Sequence, residues 1–180
     1  MLPSIPESKI IAAANEGSDI FFKLITDTLL NAVGGELNAT NMQQLNSHQI
    51  TLLAYLMLRD EVMDGGFVQL IHNGLGPFIF LNPFAKAIRQ WGEEMDPEVC
   101  GVLHDFSKLI YKGRKLFERY GEQLTVHCTN DEFMALFEQY PEFDTLDDAF
   151  IESEEEITMC ISHYVDQHLA EFVDVNKSCQ

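Results

Sequence analysis

Apolar side chains recur along this chain at steps of three and four, and strict alternation never lasts a strand's length, so the pattern predicts helix throughout. A short first helix is predicted over 6–14. Asp19 is placed to cap a second, whose apolar face is Ile20, Phe21, Leu24, Ile25, Leu29 and Val33 before Gly34 and Gly35 stop it. The polar stretch 38–46 reads as loop, and Ser47 as the cap of a third helix over 50–63 that is apolar nearly all round and so central. Asp64, Gly65 and Gly66 break that helix, and 67–72 adds one or two further turns closed by Asn73 and Gly74. The apolar run 78–81 lies between Gly76-Pro77 and Asn82-Pro83 and has no readable conformation, and helix resumes over 84–91.

Asp96 followed by Pro97 is a strong helix start, and the run it opens is predicted to reach Tyr120 and to end at Gly121. Val99, Leu103, Phe106, Ile110 and Phe117 form its buried line, with Lys108, Lys112, Lys115 and Arg119 as a basic stripe on the other side. A further helix opens at Asn130 or Asp131 and stops before Pro141. The last is predicted over 144–172, its inner face Leu146, Phe150, Ile157, Ile161, Tyr164, Leu169 and Phe172. The expected fold is all-α, a single compact multi-helix domain over 1–180, since 180 residues with 46% hydrophobic content suffice for one buried core.

Charge changes the picture. Eleven Lys and Arg stand against 29 Asp and Glu, a net charge of −18, and the segment 120–176 holds 15 acids and no Lys or Arg before Lys177. Neutralising phosphates requires basic side chains, so direct binding to nucleic acid or to an anionic membrane is excluded. No apolar run is long enough to span a bilayer, and the N-terminus lacks the basic-then-apolar order of a secretory signal, so the chain is read as soluble and cytoplasmic. Cys100, Cys128, Cys160 and Cys179 have no paired spacing and are expected to be free thiols.

The acids gather most densely in DTLDDAFIESEEEI, 144–157. As a calcium loop opened by Asp144 the register fails, because Leu146 and Ala149 occupy the third and sixth positions although Asp148 and Glu155 fall correctly. No Glu-x-x-His occurs for a di-metal carboxylate bundle, and no nucleophile elbow or phosphate-binding glycine loop is present. The expectation is therefore no metal, no cofactor and no catalytic residue. What remains is the acidic surface itself: eight acids between 142 and 156, about one charge per 2.8 Å of helix against about one per 1.7 Å of duplex DNA. Guanidinium forks suit carboxylate and phosphate alike, so such a helix suits a protein whose Arg and Lys normally meet phosphates, with Phe143 and Phe150 either offering apolar contact there or belonging to the core. Two other readings are a solvated face serving solubility alone and a basic 108–119 stripe folded back onto the acids.

The segment 52–91, above all EVMDGGFVQLIHNGLG over 61–76, resembles a bacterial family of all-helical domains, the nineteen-kilodalton DNA-mimic family, through Glu61, Asp64, Gly65, Gly66, Phe67, Gln69 and Asn73. The resemblance implies a homodimer whose acidic face imitates duplex DNA and occupies the DNA-binding surface of a helix-turn-helix transcription factor, relieving its repression. The expected partner is thus a basic DNA-binding protein. Candidate phosphate surrogates are Asp144, Asp147, Asp148, Glu152, Glu154, Glu155 and Glu156, with Glu138 and Glu142 beside them, and about half are expected to touch the partner because one helix cannot turn every residue the same way. The alternative is a small-molecule-binding or enzymatic domain with Glu61, Asp64, Gln69, His72 and Asn73 lining a cleft at the Asp64-Gly65-Gly66 junction.

Overall fold

The computed structural model describes residues 2–176, so Lys177 and Cys179 lie outside the described residues. The fold is all-α. Contacts group the chain into two compact units, one of 1–53 with 156–180 and one of 54–155.

The first unit opens with α1 (Glu7–Glu16) and α2 (Ser18–Ala32). Asp19 does not cap α2: the helix begins two residues earlier than that cap requires, with Gly17 at the cap, and Asp19 sits in the first turn where its charge suits the helix dipole. Of the expected face Phe21, Ile25 and Leu29 are buried, Leu24 and Val33 are half-buried and Ile20 is exposed, while Phe22, outside that face, is buried with them. The predicted loop contains a 3-10 turn, Asn41–Gln44, whose buried Asn41 donates to the carbonyl oxygens of Val33 and Glu36. Asn46, rather than Ser47, caps α3 (Ser47–His72): its Oδ1 accepts from the Gln49 amide at 2.9 Å while Gln49 Oε1 accepts from the Asn46 amide at 3.0 Å.

Two short parallel strands, β1 (Ser4–Pro6) and β2 (Asp174–Asn176), pair with Ile5 opposite Val175, an element the helical reading omitted. Three-residue strands are too short to show alternation, so no sequence pattern announces them. The predicted terminal helix is also divided, into α7 (Asp144–Gln167) and α8 (Leu169–Phe172), with a turn at His168. Tyr164 stacks on His168 at 4.1 Å between ring centres and His48 lies near Tyr164 and Phe172, an aromatic cluster that the turn makes possible.

In the second unit, the apolar run of unreadable conformation is a π-helical turn, Pro77–Leu81, followed by α4 (Phe84–Glu93). Asp96 caps α5 (Pro97–Leu124) as expected, accepting from the Glu98 and Val99 amides. The helix continues past Gly121, however: that glycine is buried against the Phe117 ring, so its missing side chain makes room for packing and does not end the helix. Thr129 caps α6 (Asn130–Gln139) one residue before the predicted opening, in a reciprocal box with Glu132. A 3-10 turn, Pro141–Phe143, then leads into α7.

A run of ring contacts forms the centre of this unit. Phe84 meets Phe106, Phe106 meets Phe150, Phe150 meets Phe67, and Phe67 meets Phe80, all with ring centres within 6.4 Å. Edge and tilted contacts of this kind add about 0.5–1.5 kcal/mol each beyond the area they bury. Phe143 and Phe150 are both fully buried. Of the two roles open to them, contact or core, they take the core, and their burial helps decide which side of α7 faces inward.

Candidate partner-binding surface

With Phe150 and Leu146 inward, the acids of α7 divide into two sets. Asp144, Asp148, Glu152 and Glu155 follow one another at steps of four, four and three and are all exposed. Ile151, 49% exposed, lies among them, so the file carries one apolar side chain between its carboxylates. Glu156 is exposed on the same helix but belongs to the first unit. Glu138 on α6 and Glu142 in the 3-10 turn are exposed as well. Glu142 accepts the Tyr120 hydroxyl at 2.7 Å, a bond that lowers the Glu142 pKa and raises that of Tyr120.

Asp147 and Glu154 differ from the rest. Glu154 is only 5% exposed and forms an ion pair with Arg59 of α3. A charge there is removed from water and answered within the fold, which leaves it out of any outward array. Asp147 is half-buried and accepts the backbone N–H of Phe67 at 2.8 Å. Burial pushes its pKa up to about 6, with Asp144 and Asp148 adding to the rise and the Phe67 N–H opposing it.

The sign of that shift sets a pH dependence. A carboxyl whose folded pKa is raised binds its proton more tightly in the native state, so its contribution to stability is complete below the ordinary carboxylate value and is lost as pH climbs through about 6. Asp147→Asn removes the titration, and urea unfolding of the two proteins shows the variant gaining relative to the native chain between pH 4 and pH 7. A difference that stays constant over that window contradicts the assignment.

Apart from Arg119, whose charge reaches Glu142, the basic stripe of α5 is not folded onto these acids. Lys108 pairs with Asp105 and Arg114 with Glu118, each within one helical turn, while Lys112 and Lys115 are exposed. Arg119 lies over the Tyr120 ring at 4.9 Å and its charge also bears on Glu142. Among the described residues, no ion pair ties Asp144, Asp148, Glu152 or Glu155 to a base of α5. At the glycine junction, Gln69 donates to Glu61 and Asp64 at 3.1 and 2.8 Å, and Asn73 donates to Glu61 at 2.9 Å. These polar side chains of the motif brace one another across the break in α3. His72 is turned elsewhere, with Nδ1 2.8 Å from the Leu124 carbonyl oxygen and its ring against Phe133.

Among the described residues, no group of three or more His, Cys, Asp or Glu side chains is arranged to hold a metal ion, and no helix is long and apolar enough to cross a membrane. Cys100 and Cys128 are partly exposed and Cys160 is buried, all as free thiols.

Fold and surface together define a class: an all-helical protein that presents a file of exposed carboxylates on one long helix while binding its inward acids internally. Residues 43–175 match the DMP19-like protein family, and the chain belongs to that family. Over 135 residues it is 30% identical to the DNA mimic protein DMP19 of Neisseria meningitidis serogroup B, an alignment covering 74% of this chain and 76% of that protein. The matched region contains both the glycine motif and α7, so the resemblance seen in Glu61 to Asn73 extends well beyond it.

Proposed function

We propose that this protein is a DNA mimic: the outward carboxylates of α7 occupy the basic face of a DNA-binding protein and hold it away from DNA. The observation that carries this reading is the file Asp144, Asp148, Glu152 and Glu155, exposed and free of ion pairs with the bases of α5. The 30% identity to the DNA mimic protein of Neisseria meningitidis supports it.

Charge spacing refines the comparison with DNA. Setting Asp147 and Glu154 aside leaves six acids between 142 and 156, about one per 3.8 Å of helix, which resembles the roughly 3.4 Å per charge of a single DNA strand more than the duplex. A second copy supplies the second line of charge, which is why the functional unit in this reading is a homodimer. The partner is a helix-turn-helix transcription factor whose operator binding is blocked, in the cytoplasm. Its Arg and Lys reach the carboxylates as they would phosphates, and complementary charge speeds the encounter.

Capture from bacterial cytosol at low salt, followed by a salt gradient, tests the proposal. A basic DNA-binding protein is expected on the column, eluting at moderate salt and displaced by duplex DNA. Retention indifferent to both salt and DNA sinks the mimicry reading.

A further inference from the structure

The glycine motif and the acidic helix meet at one hydrogen bond. At Gly65 and Gly66 the backbone of α3 leaves helical geometry, with φ −152 and ψ 20 at the first and φ 73 and ψ −177 at the second. A new helical run therefore starts at Phe67, and its first amides have no carbonyl in the preceding turn to bond. Asp147 supplies the acceptor: Oδ1 takes the Phe67 N–H at 2.8 Å from eighty residues further along the chain. An N-cap aspartate does the same for its own helix, and here the cap is delivered by a different one.

Gly66 is shaped to receive it. A Cβ at Gly66 would lie 2.5 Å from Asp147 Oδ2 and 2.8 Å from Cγ, at a positive φ that side chains rarely adopt. One turn further along α7, the Phe150 ring packs edge-on against the Phe67 ring. Two consecutive inward positions of α7 are thus fixed on the same residue of α3, one by a hydrogen bond and one by a ring contact. That pair acts with the burial of Phe143 and the Arg59–Glu154 ion pair on the rotation of α7, and so on the direction of Asp144, Asp148, Glu152 and Glu155.

We infer that Asp147 is a positioning residue: its carboxylate caps the second half of α3 across the chain and locks the rotation of α7 that turns the acidic file outward. The geometry stands by itself, whereas its consequence for a partner rests on the proposed mimicry.

The test uses the full chain, amide exchange at Phe67, the carboxyl titration of Asp147 followed by NMR, and retention on immobilised deca-arginine at pH 7.5. Asp147→Ala is expected to speed Phe67 exchange at least about tenfold, while Asp147→Asn, whose amide oxygen still accepts, keeps it within about threefold of native. Gly66→Ala displaces the carboxylate, so the Asp147 midpoint falls from about 6 toward the ordinary range. On deca-arginine, Asp148→Asn elutes at lower salt than the native protein, Asp147→Asn with it, and Asp147→Ala earlier than Asp147→Asn although both lose the same charge.

Unchanged Phe67 exchange in Asp147→Ala overturns the inference, as does an Asp147→Asn variant that elutes as early as Asp148→Asn, since Asp147 would then belong to the exposed file. Should the alanine variants fail to fold, Asp147→Asn decides: kept protection with native elution supports the lock, and loss of either rejects it. If the wild type is not retained on the column and captures no partner, the mimicry reading fails while amide exchange still judges the lock.

Discussion

On the proposed mimicry, replacing Asp148, Glu152 and Glu155 together by lysine is expected to lower affinity for the DNA-binding partner by at least about a thousandfold, about 4 kcal/mol. Each substitution turns an attractive site facing a basic surface into a repulsive one, and close charge pairs across an interface couple by about 1.5 kcal/mol or more. The fold should be indifferent, because all three side chains are exposed and an exposed change away from caps and cores shifts stability by about 0.5 kcal/mol or less. Removing like charges one turn apart relieves repulsion along α7 as well. Isothermal titration at two or more salt concentrations reads both parts: the native complex weakens steeply with salt, and the variant shows neither the affinity nor the slope. Full affinity in the triple variant would place the interface elsewhere.

Arg59→Ala is expected to cost about 3 kcal/mol of folding stability. Glu154 is nearly inaccessible to solvent and shares an ion pair with Arg59, itself about one-quarter exposed in its side chain. Truncating one partner of a buried pair leaves the other charge in a poorly solvating site, an effect of about 3–5 kcal/mol that partial exposure of the arginine holds to the lower end. The double replacement Arg59→Met with Glu154→Leu removes both charges and is expected to recover most of the loss, since apolar substitutes for buried pairs are often near neutral. Urea unfolding of the native, single and double variants measures the difference. A single variant within about 0.5 kcal/mol of native would mean that the pair is solvated like a surface bridge.

These two experiments separate acids that look alike in the chain. The division between them was legible: Phe143, Asp147, Phe150, Glu154, Ile157, Ile161 and Tyr164 follow one another at steps of four and three, a single inward line with two acids on it. The expectation that about half of the acids face a partner did not say which half, and that line does. The signal for an inward acid was its register among buried apolar neighbours. What the register cannot supply is the answering group. Arg59 and the Phe67 amide lie in α3, far away in sequence, and nothing near Asp147 or Glu154 in the chain indicates them.

The caps show the same limit at short range. Asp96 before Pro97 was readable because proline admits one backbone solution at a helix start. At the starts of α3 and α6 several polar residues stand side by side, and the one that closes a hydrogen bond is set by where the chain enters the helix. Asn46 and Thr129 are the result, in place of Ser47 and of Asn130 or Asp131.

By itself, the sequence determined that the chain is helical, because apolar spacing of three and four admits little else, and that its last third carries a charge no phosphate surface tolerates. It also carried the motif that places the chain in its family. Tertiary structure alone decided which groups answer the inward acids, Arg59 for Glu154 and the Phe67 amide for Asp147. An acid is spent when a distant arginine or an uncapped amide reaches it, and such meetings depend on how α3 and α7 are brought together, which local periodicity does not encode.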